Sequence, residues 1–392
     1  MPKSFNSTLQ KLLNDSNLNS LFKKNLFTGN IEIRGQNTYN LYNLPEGQVV
    51  SDIDILKLRQ YLSKVHELEV KGQEANDLVC LLAEEFKYHP LKDYLKDLVW
   101  DNIPRLDNWL IEICGCEDNQ YYKDIGRKVL CAAVHRIKNP GAKFDYMLIF
   151  EGDQGMGKST MLSILGGQWY LDTHFSTKEN KQDIIDMMRT AWIVEISDLA
   201  GFNKQTIEHL KSFITRQVDR VRMPFARHSE NFPRQSVFIG THNPSGDNNY
   251  FRDDTGNRRF WPVVCSRIDL IKMRDWKDQL WAEAVIKEKD EILYLKNEDS
   301  LNILNNLHKE REQDNPLNDL IAEYVKGKHE IHRNEILEKA FKLNPVYMNP
   351  TDLKGKQTFI GIWMRKNKWK KGENKKRGWY FAPETISLEW AE

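Results

Sequence analysis

The run YMLIF at 146–150, followed by EGDQGMGKST at 151–160 and MLSIL at 161–165, decides the fold. Its first five residues are apolar and β-prone, its middle is broken by glycine, and its end resumes as an amphipathic helical pattern. Strand, glycine loop and helix follow in that order. Three glycines let the backbone curl so that its N–H groups and the helix N-terminus face an anion. A lysine reaches the outer phosphate oxygens and a serine hydroxyl sits on Mg²⁺. Gly152 to Ser159 therefore reads as a P-loop, with ATP and Mg²⁺ as the expected ligands. Gly152, Gln154, Gly155, Met156, Gly157, Lys158, Ser159 and Thr160 are the expected phosphate-binding residues.

Working outward, the next apolar run is AWIVEISD at 191–198, which closes on acids. In ATPases of this kind an acid at a strand tip holds Mg²⁺ and a neighbouring carboxylate orients the attacking water. Glu195 and Asp198 are the candidates, and spacing leaves their roles open, because in an extended strand they face opposite ways unless the chain turns at Ser197. Ser159 and Glu195 are the expected metal ligands. The strand SVFIG at 236–240 ends in THNP, where Asn243 could bond the γ-phosphate or the attacking water. In DDTGNRRFW at 253–261 the adjacent Arg258 and Arg259 sit between a glycine turn and an aromatic anchor. A guanidinium against a γ-phosphate accelerates transfer by roughly 10³ to 10⁵. One of the pair is expected to do this, the plainer alternative being a salt bridge to Asp253 or Asp254.

Between the acidic and asparagine strands, KSFITRQVDRVRMPFARHSENFPR at 211–234 alternates apolar with basic residues, which suits a hairpin with a basic tip. Arg222, Arg227 and His228 are its expected nucleic-acid contacts, against the alternative of a solvated charged hairpin. Near the C-terminus, 318–325, 334–341 and 359–364 read as helices, and 369–381 reads as two strands around a turn. Three helices and a basic wing suggest a winged helix. Residues 365–377 hold eight Lys or Arg and one acid, so Lys370, Lys371, Lys375, Lys376 and Arg377 are expected to meet nucleic acid; docking to protein is the alternative.

At 392 residues the chain exceeds one ordinary core, so several domains are expected. The reading is a polar, β-like segment over 1–50, a helical domain over 51–140, a P-loop core with following helices over 141–312, and the winged-helix-like domain over 316–385. The polar run at 309–316 reads as a linker. Alternating strands and helices between 144 and 264 imply an α/β fold, a parallel sheet flanked by helices. Lys and Arg number 57 against 56 acids, so a polyanionic partner must be met by local clusters rather than by net charge. The five cysteines show no paired CxxC spacing and read as reduced thiols. With no apolar run near eighteen residues and no signal-like N-terminus, the expectation is a soluble cytoplasmic protein without membrane partners.

Taken in order, HPLKDYL (89–95), WD (100–101), PGAKFD (140–145), GDQGMGKS, WIVEISDL, FPRQSVFIGTHNP and DDTGNRRFWPV resemble the virulence-associated protein E family. That group is linked to phages, plasmids and mobile islands and is similar to superfamily 3 helicases of the AAA+ class. The resemblance spans about 52–264. It implies an AAA+ ATPase that assembles in a ring, commonly a hexamer, with the arginine finger reaching the neighbour's nucleotide. It also implies a hairpin, here around Arg227 and His228, that carries single-stranded DNA in the central channel. Two departures stand out: Glu195 and Asp198 are separated rather than adjacent, and no primase-like region precedes residue 50, which argues against a fused primase-helicase. The expected function is an ATP-dependent DNA helicase or translocase for replication of a phage or mobile element, with duplex DNA on the C-terminal domain. The alternatives are a non-translocating initiator or loader that binds origin DNA, and an accessory protein acting through partners with ATP only ordering the ring.

Overall fold

The chain divides into two units, Met1–Glu312 and Gln313–Glu392. The structure, a computed structural model, describes residues 5–34, 47–173, 181–197, 199, 204–221, 229–243, 257–311, 316–372 and 378–382. The first unit opens with α1 (Phe5–Leu13), β1 (Phe22–Asn25), β2 (Ile31–Ile33), β3 (Gln48–Val49), α2 (Asp52–His66), α3 (Gly72–Glu85) and β4 (Lys87–Tyr88). Its small sheet has the order β3-β2-β1-β4. Leu58, Leu62, Leu78 and Leu82 of the two long helices close over Leu12, Phe22 and Ile33. Helix α2 starts at the expected cap, where the Asp54 carboxylate accepts from the Ser51 N–H (2.8 Å) and hydroxyl (2.6 Å).

The rest of this unit holds α4 (Pro90–Asp97), α5 (Trp109–Cys114), α6 (Gln120–Lys138), β5 (Met147–Glu151), α7 (Lys158–Gly166), β6 (Tyr170–Thr173), α8 (Lys181–Met188), β7 (Ile193–Ile196) and α9 (Lys204–Ile214). Then follow β8 (Val218–Val221), β9 (Glu230–Pro233), β10 (Val237–His242), β11 (Phe260–Val264), α10 (Leu270–Lys287) and α11 (Glu298–Glu310). Five parallel strands form the main sheet in the order β11-β5-β10-β7-β6. Every residue of β5 and β10 is buried, as a parallel sheet covered on both faces requires. Leu130, Leu162, Leu280 and Trp281, from α6, α7 and α10, join the core of one face, and Ile207, Leu210 and Ile214 of α9 join that of the other. Two indoles lock the first layer: Trp192 and Trp281 pack with centroids 3.9 Å apart and planes tilted by 33°, and donate to the Ala133 and Leu165 carbonyls respectively.

Residues 51–140 do not stand as a helical domain of their own. Helices α2 and α3 share a core with the N-terminal strands, whereas α5 and α6 belong to the core of the main sheet. The cause is α6, which is buried along most of its length, including the polar Asp124, Lys128 and Arg136. Arg136 donates to the carbonyls of Ala142 (3.1 Å), Phe144 (2.9 Å) and Ser236 (2.6 Å), pinning the PGAKFD segment to the start of β10. Nor is 309–316 a linker throughout: α11 runs to Glu310, and Arg311 is buried against Glu151. Strands β8 and β9 pair antiparallel, as the basic stretch predicts. Their turn, with Arg222, Arg227 and His228, lies outside the described residues.

The second unit comprises α12 (Pro316–Val325), β12 (Glu330–His332), α13 (Arg333–Glu335) continuing as a π-helical turn (Ile336–Ala340), α14 (Pro350–Lys366), β13 (Lys370–Lys371) and β14 (Trp379–Phe381). Its antiparallel sheet has the order β12-β14-β13. Ile321, Ile331, Leu337, Ile360, Met364 and Tyr380 form its core. Helix α14 starts at Pro350, well before the apolar cluster near Phe359 that signals it in sequence. Among the described residues no helix is long and apolar enough to cross a membrane.

Candidate active site

Adjacent strands β5 and β10 carry the site at their carboxyl ends. The chain leaves β5 for β6 at one edge of the sheet and leaves β10 for β11 at the other, which opens a crevice between them. Glu151 ends β5, and Arg311 grips both its carboxylate oxygens at 2.5 Å. At the next residue, Gly152, a Cβ would come within 2.9 Å of the Met156 sulfur and 3.2 Å of the Cys265 carbonyl, so a side chain would force both to shift. Gly155 and Gly157 have φ of 81° and 99°, in the left-handed region that disfavours side chains. The second of these caps α7, so the first N–H groups of Lys158, Ser159 and Thr160 have no intrahelical acceptor.

Lys158 folds back over this loop. Its ammonium donates to the carbonyls of Gly152 (2.6 Å) and Asp153 (2.9 Å) and to Asn243 Oδ1 (2.8 Å), using all three donors. Burial lowers its pKa below the usual lysine range, with Cys265, Asp153 and Glu195 opposing. Lys158 and Asn243, 85 positions apart in sequence, thus meet at the tips of neighbouring strands.

Beneath them, Glu195 of β7 is fully buried. One carboxylate oxygen accepts from the hydroxyls of Ser159 (2.7 Å) and Thr241 (2.7 Å), the other from Tyr170 (2.5 Å). No ion pair reaches Glu195 among the described residues. A buried carboxylate supported only by hydroxyls, one of them the serine that opens α7, offers the oxygen donors a hard cation prefers. Ser159 and Glu195, 2.7 Å apart, are thus the pair whose oxygens suit a hard cation such as Mg²⁺. Thr241 and Tyr170 were missed: a threonine and a tyrosine carry no motif, and only the parallel pairing of β7 with β10 and β6 brings them in. Asp198 lies outside the described residues.

Arg258 and Arg259 do not join this cluster. They precede β11, whose Phe260 pairs with Met147 at the start of β5, whereas the glycine loop leaves from the other end of that strand. Both act electrostatically on Tyr146, whose phenol burial pushes up while the two guanidinium groups pull it down. Within one chain the arginines and the glycine loop occupy opposite ends of the sheet. In the second unit Lys370 and Lys371 lie exposed on β13, while Lys375, Lys376 and Arg377 lie outside the described residues. The five cysteines are free thiols; Cys265 follows β11 and donates its N–H to the Glu151 carbonyl (2.8 Å).

The solved structures to which the chain is similar include the apo structure of the NrS-1 C terminal region (305–718), 12% identical, with 88% of this chain and 86% of that chain covered and a TM-score of 0.45. The A form apo structure of the same region is 11% identical, with 92% and 96% covered and a TM-score of 0.48. No curated protein matches the chain. The model of the virulence-associated protein E-like domain matches residues 95–314, more than half of the chain and the whole of the main sheet. The chain belongs to the virulence-associated protein E-like family.

Proposed function

We propose that this chain is a Mg²⁺-dependent ATPase that assembles in a ring and drives translocation on DNA, a superfamily 3-like helicase or translocase for replication of a phage or mobile element. The observation that carries the reading is the bond from Lys158 to Asn243 above the Ser159–Glu195–Thr241 cluster. Lysine, serine, buried acid and strand-tip asparagine are the parts a P-loop ATPase needs, and they meet in one crevice. In this reading Gly152, Gln154, Gly155, Met156, Gly157 and Thr160 wrap the phosphates with backbone N–H groups. Lys158 exchanges its carbonyl and amide acceptors for phosphate oxygens. Ser159 and Glu195 would hold Mg²⁺, which would supply charge to offset the developing oxyanions. Asn243, released from Lys158, is free to bond the γ-phosphate or the attacking water, and Glu195 or Asp198 orients that water.

Arg258 and Arg259 enter this scheme from a neighbouring copy, because their own glycine loop leaves the far end of β5. The basic hairpin tip around Arg222, Arg227 and His228 would line the DNA channel. The second unit reads as a winged helix, α14 with the β13–β14 wing, and Lys370, Lys371, Lys375, Lys376 and Arg377 would contact nucleic acid.

Steady-state hydrolysis with and without Mg²⁺ and single-stranded DNA tests the reading. Lys158→Ala and Glu195→Gln are expected to lower the Mg²⁺-dependent rate by about 10²-fold or more. A parent protein with no ATPase, or a Lys158→Ala protein at the parent rate, would end it. Strand displacement on a forked duplex separates the motor from an origin-binding loader, which would hydrolyse ATP without unwinding.

A further inference from the structure

The buried carboxylate of Glu195 is held differently at its two oxygens. Oε1 accepts from the hydroxyls of Ser159 and Thr241, each at 2.7 Å. Oε2 accepts from the Tyr170 hydroxyl at 2.5 Å. Tyr170 belongs to neither the glycine loop nor the acidic strand: it opens β6, the strand at one edge of the main sheet. Strands β6 and β7 pair so that Tyr170 lies beside Ile193 and Asp172 beside Glu195. Side chains alternate along a strand, so Tyr170 and Glu195 share one face, and the phenol reaches the carboxylate along the diagonal.

Packing sets the ring in place as firmly as that bond does. A Cβ on Gly166, at the end of α7, would come 2.8 Å from the Tyr170 Cβ and 3.1 Å from the Ile193 Cβ, so the bare glycine lets the helix lie against both strands. The Trp192 N–H donates to the Trp169 carbonyl at 2.7 Å and fixes the residue before Tyr170. The helix that presents Ser159 in its first turn therefore also seats Tyr170 with its last. A phenol fixed on that side keeps the carboxylate plane from turning and commits Oε2 to a protein donor. Breaking a hydrogen bond to a buried carboxylate oxygen is costly, so Oε2 is not readily surrendered to another partner.

We infer that Tyr170 is a positioning residue that selects the divalent cation of this site, favouring Mg²⁺ over Ca²⁺ by leaving Glu195 a single oxygen, Oε1, for a metal. The inference rests on the Mg²⁺-dependent reading above and adds to it a residue outside the glycine loop. Ca²⁺ gathers about six to eight oxygens in a loose shell and readily takes both oxygens of one carboxylate. The smaller octahedral shell of Mg²⁺ is served by one carboxylate oxygen at one corner. With Oε2 given to the phenol, only the second mode of binding is open to Glu195.

Calorimetric titration of the full chain with a slowly hydrolysed ATP analogue, in saturating Mg²⁺, in saturating Ca²⁺ and in EDTA, tests this without turnover. The parent is expected to bind the analogue about tenfold more tightly with Mg²⁺ than with Ca²⁺. In Tyr170→Phe the affinity with Mg²⁺ should fall by about tenfold while that with Ca²⁺ stays within about twofold of the parent, so the preference disappears. Replacing Tyr170 with 4-aminophenylalanine, which keeps a donor on the same ring, should restore it. Thr241→Val strips a donor from the oxygen that either cation uses, and it carries the test if Tyr170→Phe does not fold: both affinities should fall alike and their ratio should hold. A parent without the preference, a Tyr170→Phe protein weakened equally for both cations, or a Thr241→Val protein that loses the preference would each overturn the inference. Nucleotide binding by the parent that is the same in all three media would remove the Mg²⁺-dependent reading with it. A Tyr170→Phe protein that keeps the preference for Mg²⁺ would overturn the role of Tyr170 alone and leave that reading standing.

Discussion

Glu151 is the residue on which the glycine loop hangs, and its partner is Arg311, 160 positions later. Both side chains are 4% exposed, so the pair is almost wholly desolvated. Removing one partner of such a pair strands the other charge, which costs far more than the pair itself contributes. Arg311→Met is therefore expected to destabilise the fold by about 3–5 kcal/mol in urea titration. Adding Glu151→Gln should recover much of that loss, and a double variant no better than the single one would contradict this account. The same residue shows why part of the site was legible and part was not. Lys158, Ser159, Glu195 and Asn243 could be named because each stands at a fixed offset from a glycine loop or a strand end. Tyr170, Thr241 and Arg311 reach their carboxylates from 25, 46 and 160 positions away, and nothing local in their sequence marks them.

At the level of elements, α4 shows how a cap can couple to pH. Its N-cap is His89, whose Nδ1 accepts from the Lys92 N–H (3.2 Å) while Nε2 meets Gln235 Oε1 (2.8 Å). The ring must be neutral to do both, with its proton on Nε2. Burial lowers the His89 pKa below its ordinary 6.5. The unfolded chain then binds the proton more readily than the folded one, so stability rises with pH through this window and falls as pH drops below about 6.5. The slope from one such group is at most about 1.4 kcal/mol per pH unit. His89→Asn keeps a capping oxygen without the titration, so its unfolding midpoint should change less than the parent's between about pH 7 and 5. Equal changes in both proteins would remove His89 as the cause. Long periodic elements such as α6 and the buried strands β5 and β10 were readable because pattern and burial agree. The three-residue β12 was not, since its only support is pairing with the distant β14.

For the whole molecule, the decisive fact is the separation of the arginine pair from the glycine loop. Strand β11 runs from Phe260 beside Met147 to Val264 beside Glu151, five residues at about 3.3 Å each, so roughly 16 Å of sheet lies between them. Sequence order supplied both groups, but only strand direction shows that they sit at opposite ends. If hydrolysis needs an arginine from the next copy, Lys158→Ala chains and Arg258→Ala/Arg259→Ala chains are each inactive alone yet complement when mixed. In a randomly mixed ring, half of the glycine loops are intact and half of their neighbours bring intact arginines. Equal mixing should then give about a quarter of the parent rate, because each contact joins unlike faces of adjacent copies. An inactive mixture that still forms mixed rings would show that no arginine is exchanged between copies. Full activity of the double arginine variant alone would show that the pair takes no part in hydrolysis.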